Sequence, residues 1–155
     1  MPQLDAVLRE IQSGWEIPGL AVGIVEAGQI TYAKGFGVQS LETGVPVTPD
    51  SLFCLASIAK CFVACAVMQL AESGRLKLDA PIVDYLPEFR LLGETYPQIT
   101  IRQMLSHTSG MPDMDEIEYD ALVYNPEVDE GAPGRFLSTL SNRNMIALPG
   151  EGFAY

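Results

Sequence analysis

A serine and a lysine three residues apart are the strongest candidates for chemistry in this sequence. They lie in the tetrapeptide Ser57-Ile58-Ala59-Lys60, at the predicted start of a helix, where side chains three apart share one face. At that position the positive end of the helix dipole, together with burial, would favour a neutral lysine amine. A neutral amine can accept the proton of a serine hydroxyl, which makes the serine a nucleophile. The pair is therefore a candidate for an activated serine nucleophile.

This spacing is common by chance, and the alternative interpretation is a helix-capping serine followed by a surface lysine. The surrounding sequence argues against that alternative, because Lys60 is the only charged residue between Asp50 and Glu72. We therefore take Ser57 and Lys60 as the candidate catalytic pair.

The N-terminal elements are predicted from the spacing of apolar residues. An amphipathic helix comes first, with Gly14 as its C-terminal cap. A β-hairpin follows, with strands over 19–26 and 30–39. Gly35 and Gly37 flank a phenylalanine and are expected to let another segment approach closely.

The candidate pair lies on the next element, a helix predicted over 57–73 and ended by Gly74. Residues 61–68 are apolar on every side, which predicts a helix that is buried all round. Cys54, Cys61 and Cys65 are expected to be buried, reduced thiols rather than a disulfide framework.

Shorter helices are predicted after the central one. Asp79 can cap a short helix that stops at Pro87. Thr100 and Gln103 form a capping box, which starts a helix that ends near Gly110. Residues 113–135 are acidic and poorly periodic, so we expect loops with one short helix at most.

Four phrases of the sequence resemble the penicillin-recognising serine hydrolases, in the same order along the chain. They are VPVTPDSLFCLASIAK, LDAPIVDYLPEF, ITIRQMLSHTSGMPD and PGEGFAY. That family includes class C β-lactamases, D,D-peptidases, D-aminopeptidases and esterases of the β-lactamase fold. The resemblance implies an α+β fold, of which residues 1–155 would be the N-terminal part of a single domain with an incomplete antiparallel sheet. Residues 1–50 would carry the helix and hairpin, and 51–155 the helical region.

The resemblance also implies roles for three residues. Ser57 resembles the acylated nucleophile, Lys60 its proton acceptor, and Tyr155 the tyrosine that helps activate the serine and protonates the leaving group. The family's later Lys/His-x-Gly motif, on a strand that supplies a second oxyanion-hole N–H, is missing from this sequence. The loss of one oxyanion donor typically costs about 100- to 1,000-fold in rate. The chain is therefore expected to be a truncated fragment, inactive by itself.

Other residues have weaker claims to chemistry. His107 could pair with a serine or cysteine, but the resembling family has a structural turn at this phrase, so we favour a structural role. The acidic run from Asp113 to Asp120 fails the EF-hand spacing and favours a solvated surface over a metal site. No cofactor and no metal are implied.

Composition limits the partners. The 155 residues are 48% hydrophobic, which fits one globular domain or a piece of one, and carry a formal charge of −11. A surface this negative repels phosphates, so we expect neither nucleic acid nor an anionic membrane as a partner. No secretory signal is visible and the longest apolar run is too short to span a bilayer. We expect a soluble, cytoplasmic protein, or a secreted one if a leader was removed.

The leading prediction is a serine hydrolase that acts through an acyl-enzyme on a small-molecule ester, lactam or peptide. The missing export signal favours an esterase or peptidase over a β-lactamase. The alternative is a non-catalytic structural or partner-binding module of the same fold. In either case the open sheet edge predicts self-association or binding of the missing C-terminal half.

Overall fold

Apolar residues at helical spacing form helix α1, which spans Pro2–Gly14. The computed structural model describes residues 1–115, 118–120 and 126–155, and the chain divides into two units, Met1–Ala56 and Ser57–Tyr155. The C-terminal cap of α1 is Trp15, at φ −103°, and not Gly14 as predicted. The helix therefore ends without the left-handed glycine that often closes a helix.

The predicted hairpin is confirmed. Strand β1 spans Gly19–Glu26 and strand β2 spans Gln29–Gly37, and the two pair antiparallel from Gly19 opposite Gly37 to Glu26 opposite Gln29. Ala27 and Gly28 both have positive φ, 48° and 78°. Left-handed backbone at both turn residues matches the twist of the strands that the turn joins.

The close approach expected at the two glycines of β2 is also confirmed. A Cβ atom at Gly35 would lie 2.2 Å from the Val47 carbonyl oxygen, and one at Gly37 would lie 2.1 Å from the Pro18 carbonyl oxygen. Both distances are far below van der Waals contact. The segments that follow and precede the hairpin therefore pack against the bare backbone of β2.

Polar contacts attach α1 to β2. The Asp5 carboxylate accepts a hydrogen bond from the Tyr32 hydroxyl at 2.8 Å and pairs with Lys34. The hydrogen bond from Lys34, and next that from Tyr32, hold the pKa of the Asp5 carboxyl below its usual value. The Phe36 ring is 3% exposed, and Arg9 and Lys34 place cations 5.4 and 5.6 Å from its centroid. Cations over an aromatic face add to the attraction between helix and strand.

The sheet of the described residues consists of these two strands, so each strand has an outer edge, although the end of the β2 edge is covered where the Val47 N–H donates to the Gly37 carbonyl at 3.0 Å. We expect the chain to associate through such an edge, with a second copy or with a polypeptide that supplies further strands. Light scattering over a range of concentrations measures this. A folded monomer at high concentration, with hairpin amides protected from exchange, would contradict the expectation.

Helix α2 spans Ala59–Glu72 and follows a 3-10 turn over Ala56–Ile58, so the predicted helix is confirmed. Its predicted burial is wrong, because every side chain of α2 is at least partly exposed within the described chain. Phe62 is 66% exposed and Val63 61%. Of its apolar residues, Val67 packs against the core of this unit. An apolar pattern shows what a helix can bury, whereas the neighbouring elements decide what it does bury.

The cysteines are free thiols, as expected, but they are exposed rather than buried. Two of them, Cys61 and Cys65, lie on α2 and share its exposure. Their predicted burial depended on the burial of that helix, so both expectations fail for one reason.

The capping box is confirmed. The Gln103 N–H donates to the Thr100 hydroxyl at 3.2 Å, and the Thr100 N–H donates to the Gln103 side-chain oxygen at 2.9 Å. It starts helix α3, which spans Ile101–Leu105 and ends well before Gly110. The helix stops early because His107 has a positive φ of 57°, which a right-handed helix excludes.

The predicted capping role of Asp79 is wrong. Its carboxylate instead accepts two hydrogen bonds from the Arg102 guanidinium, at 2.6 and 2.9 Å. The following turn is a 3-10 helix over Ile82–Asp84 with Pro81 at its N-cap. Both carboxylate oxygens of Asp79 therefore accept from Arg102 and do not cap the N–H groups of a helix.

The core of the second unit consists of buried apolar side chains from these turns and helices. They are Ile82, Phe89, Leu91, Ile99, Ile101 and Leu140. The last belongs to helix α4, which spans Ala132–Leu140 and runs past the stretch in which at most a short helix was expected. Within that acidic stretch, residues 116–117 and 121–125 lie outside the described residues. None of the helices in the described residues has the length and apolar character needed to cross a membrane.

Candidate active site

The candidate pair meets at the start of α2. The Lys60 ammonium donates a hydrogen bond to the Ser57 hydroxyl with an Nζ–Oγ distance of 3.2 Å, which confirms the expected contact. Among the described residues the N-cap of α2 is Ile58, and its side chain makes no capping hydrogen bond. Ser57 is therefore not the N-cap of α2, which contradicts one half of the alternative interpretation of the motif, whereas Lys60 lies at the surface, as its other half expects. Both side chains are exposed, so the expected burial of Lys60 is wrong as well.

Tyr155 joins the pair from the other end of the unit. The Lys60 Nζ atom lies 4.8 Å from the centroid of the Tyr155 ring. The Ser57 hydroxyl, and next the Lys60 ammonium, lower the pKa of the Tyr155 phenol from its ordinary value, against opposing contributions from desolvation and Asp113. A phenol with a lowered pKa gives and takes protons more readily near neutral pH. The three residues singled out from the sequence thus lie together.

Backbone hydrogen bonds hold the segment that carries Tyr155. The N–H groups of Ile146, Gly150 and Ala154 donate to the carbonyls of Gly110, Thr108 and His107, at 2.9, 2.8 and 2.9 Å. A Cβ atom at Gly110 would lie 2.2 Å from the Ala147 carbonyl oxygen, and Gly110 has a φ of +74°. The 107–110 turn is therefore a close-fitting support for residues 146–155.

His107 contacts the candidate site through its ring. Its imidazole lies 4.7 Å from the Tyr155 ring and 5.9 Å from the Phe153 ring, centroid to centroid, edge to face in both cases. Sequence reasoning placed His107 in a turn near the site and missed its contact with Tyr155. No local signal could have found that contact, because the two residues lie far apart in the sequence.

The acidic segment near the site forms an open depression of about 360 Å³. It is lined by Asp113, Met114, Asp115, Tyr119 and Asp120. Arg143 donates to the Asp113 carbonyl at 2.9 Å and pairs with Glu118, so this segment is attached to the rest of the unit. In the residues that the structure describes, no three acidic, histidine or cysteine side chains are grouped as metal ligands.

Comparison with known proteins extends this picture. Residues 4–155 match the Beta-lactamase family. Esterase EstB of Burkholderia gladioli is 40% identical over 111 residues, which are 70% of this chain and 28% of EstB. The octameric penicillin-binding protein homologue from Pyrococcus abyssi superposes with a TM-score of 0.80 at 30% identity, over 99% of this chain and 35% of the homologue.

A class C β-lactamase from Rhodobacter sphaeroides superposes with a TM-score of 0.70 at 29% identity, over 97% of this chain and 39% of the enzyme. The chain thus spans between about a quarter and two fifths of the length of these relatives. Both superpositions cover at least 97% of this chain, and the match to the family covers nearly every residue. The chain belongs to the Beta-lactamase family, a family of hydrolases.

Proposed function

We propose that Ser57 is the nucleophile of a serine hydrolase that forms an acyl-enzyme. Ser57 Oγ attacks a carbonyl carbon while the Lys60 amine, in its neutral form, accepts the hydroxyl proton. The bond from the carbonyl carbon to the leaving group then breaks as the Tyr155 phenol gives its proton to that group, and the phenolate takes a proton back from the Lys60 ammonium. Water then cleaves the Ser57 ester and restores the hydroxyl. The observation that carries the proposal is the 3.2 Å contact between Ser57 Oγ and Lys60 Nζ beside the Tyr155 phenol. Nucleophile, base and orienting group within reach of one another are the signature of such a site.

An ester carbonyl is the favoured substrate. The support is the 40% identity to a relative named as an esterase. A lactam is the second candidate, supported by the resemblance to a class C β-lactamase at 29% identity. Both substrates present a carbonyl carbon to Ser57, so the first chemical step is the same.

Labelling with a fluorophosphonate tests the nucleophile. Such a probe forms one Ser57 oxygen–phosphorus bond as fluoride leaves, so even a slow reaction accumulates product. We expect the intact mass to increase by one adduct, located on Ser57 by peptide mapping. Lys60→Ala should slow labelling by about 100-fold or more, because it removes the general base.

Two variants serve as controls. Ser57→Ala should remove the adduct, and Lys77→Ala should label at the wild-type rate, because Lys77 is an exposed lysine beyond the end of α2. Labelling of Ser57 at the same rate in the presence and absence of Lys60 would contradict the proposal. It would support the alternative, a non-catalytic module of the same fold.

A further inference from the structure

The imidazole of His107 contacts the ring of the candidate proton donor. Its centroid lies 4.7 Å from that of Tyr155, and the planes meet at 61°. Edge-to-face pairs with centroids about 4.5–7 Å apart are the attractive arrangement of aromatic rings. The imidazole is therefore a packing surface for the ring that carries the phenol.

His107 is itself held from two sides. Its N–H donates to the Met104 carbonyl at 3.3 Å, and its carbonyl accepts the Ala154 N–H at 2.9 Å. The first bond attaches it to the end of α3, and the second attaches the terminal segment to it. Its φ of 57° is uncommon outside glycine, although histidine, asparagine and aspartate adopt it more often than other residues. The imidazole thus projects from a fixed backbone.

Tyr155 has fewer constraints of its own. It is 59% exposed, and the preceding Phe153 is 72% exposed. An exposed aromatic ring samples several rotamers unless a neighbour restricts it. The Tyr155 ring contacts the His107 imidazole and the Lys60 ammonium, the latter 4.8 Å from the ring centroid.

We propose that His107 is a positioning residue, whose imidazole packs against the Tyr155 ring and holds the phenol beside Ser57 and Lys60. It acts through Tyr155 and does not itself exchange a proton in the reaction. This inference deepens the proposed function and rests on it, because the phenol needs a fixed place only if Tyr155 serves Ser57. It also assigns the single histidine of the sequence a role in addition to its place in the turn.

The phenol titration of Tyr155 tests the proposal without any need for catalysis. The protein is labelled with carbon-13 at the tyrosine Cζ atoms, and Tyr155→Phe assigns one of the six tyrosine signals. In the wild type we expect a pKa below the ordinary value, since Ser57 and Lys60 lower it. In His107→Asn the pKa should rise toward the ordinary value. Asparagine tolerates the left-handed backbone but has no ring.

Phe153→Ala is the matched control, because it removes the other ring that contacts His107 and should leave the Tyr155 titration unchanged. A second measurement needs no variant at His107. Nuclear Overhauser effects between imidazole and Tyr155 ring protons are expected in the wild type, and their absence would overturn the inference.

The outcomes separate the two proposals. A lowered Tyr155 pKa that His107→Asn leaves unchanged would overturn the positioning role and leave the proposed site intact. An ordinary Tyr155 pKa in the wild type would instead contradict the grouping of Ser57, Lys60 and Tyr155 on which the proposed function depends.

Discussion

The 155-residue chain by itself is expected to release no more product than its Ser57→Ala variant, from either a chromogenic cephalosporin or a p-nitrophenyl ester. The reason is the missing Lys/His-x-Gly motif, whose strand supplies the second oxyanion donor in the resembling enzymes. One missing donor typically costs about 100- to 1,000-fold in rate, and the substrate contacts of that strand are missing too. Continuous absorbance assays of both variants measure the difference.

Two results of that assay are informative. Equal rates for wild type and Ser57→Ala, together with labelling of Ser57 by the fluorophosphonate, would place the defect in transition-state stabilisation rather than in the nucleophile. Product release that Ser57→Ala abolishes would show that the prediction is wrong and that the 155-residue chain suffices for turnover.

Gly110→Ala is expected to release the segment that carries Tyr155. The added Cβ atom would lie 2.2 Å from the Ala147 carbonyl oxygen, and the φ of +74° is strained for alanine. We expect the free energy of unfolding to fall by about 1–3 kcal/mol. The pKa of the Tyr155 phenol should rise toward its ordinary value, because Ser57 and Lys60 lower it in the native arrangement. Urea denaturation and the tyrosine titration measure the two effects.

Gly74→Ala is the matched control for this substitution. Gly74 has nearly the same backbone angle, φ +73°, but a Cβ atom there would meet nothing within 4 Å. It therefore carries the conformational cost of alanine without the steric clash. If Gly110→Ala destabilises the protein no more than Gly74→Ala and leaves the Tyr155 titration unchanged, the close contact with Ala147 does not hold the segment.

Features that depend on neighbours in the sequence could be predicted. The hairpin turn is indicated by Gly28, which adopts positive φ without strain, the capping box needs a threonine and a glutamine three apart, and the Ser57–Lys60 contact needs one helical turn. Each of these features depends on residues that are close together in the sequence, so the local sequence is enough to predict it. The family resemblance added Tyr155, which composition and spacing alone would have left as an unremarked aromatic.

Features that depend on distant residues could not be predicted. The exposure of α2 depends on which elements lie against the helix, and of its apolar residues Val67 packs against the core. The Asp79 carboxylate binds Arg102, which lies on a later helix, and therefore does not cap a helix. Helix α4 was not recognised because Pro133 and Gly134 interrupt its pattern, although proline is well tolerated in a first helical turn. Such outcomes depend on tertiary competition, which a local pattern does not record.

The attachment of residues 146–155 to the 107–110 turn has a consequence for the order of folding. Ser57 and Lys60 come together when one helical turn forms, and helices form in about 0.1–1 μs. Tyr155 reaches them after a much longer loop has closed, and the entropic cost of closure grows with loop length. On a growing polypeptide we therefore expect the serine–lysine pair to form before the phenol joins it. The loop-closure argument thus predicts that the site assembles in two steps, of which the second needs the turn at His107.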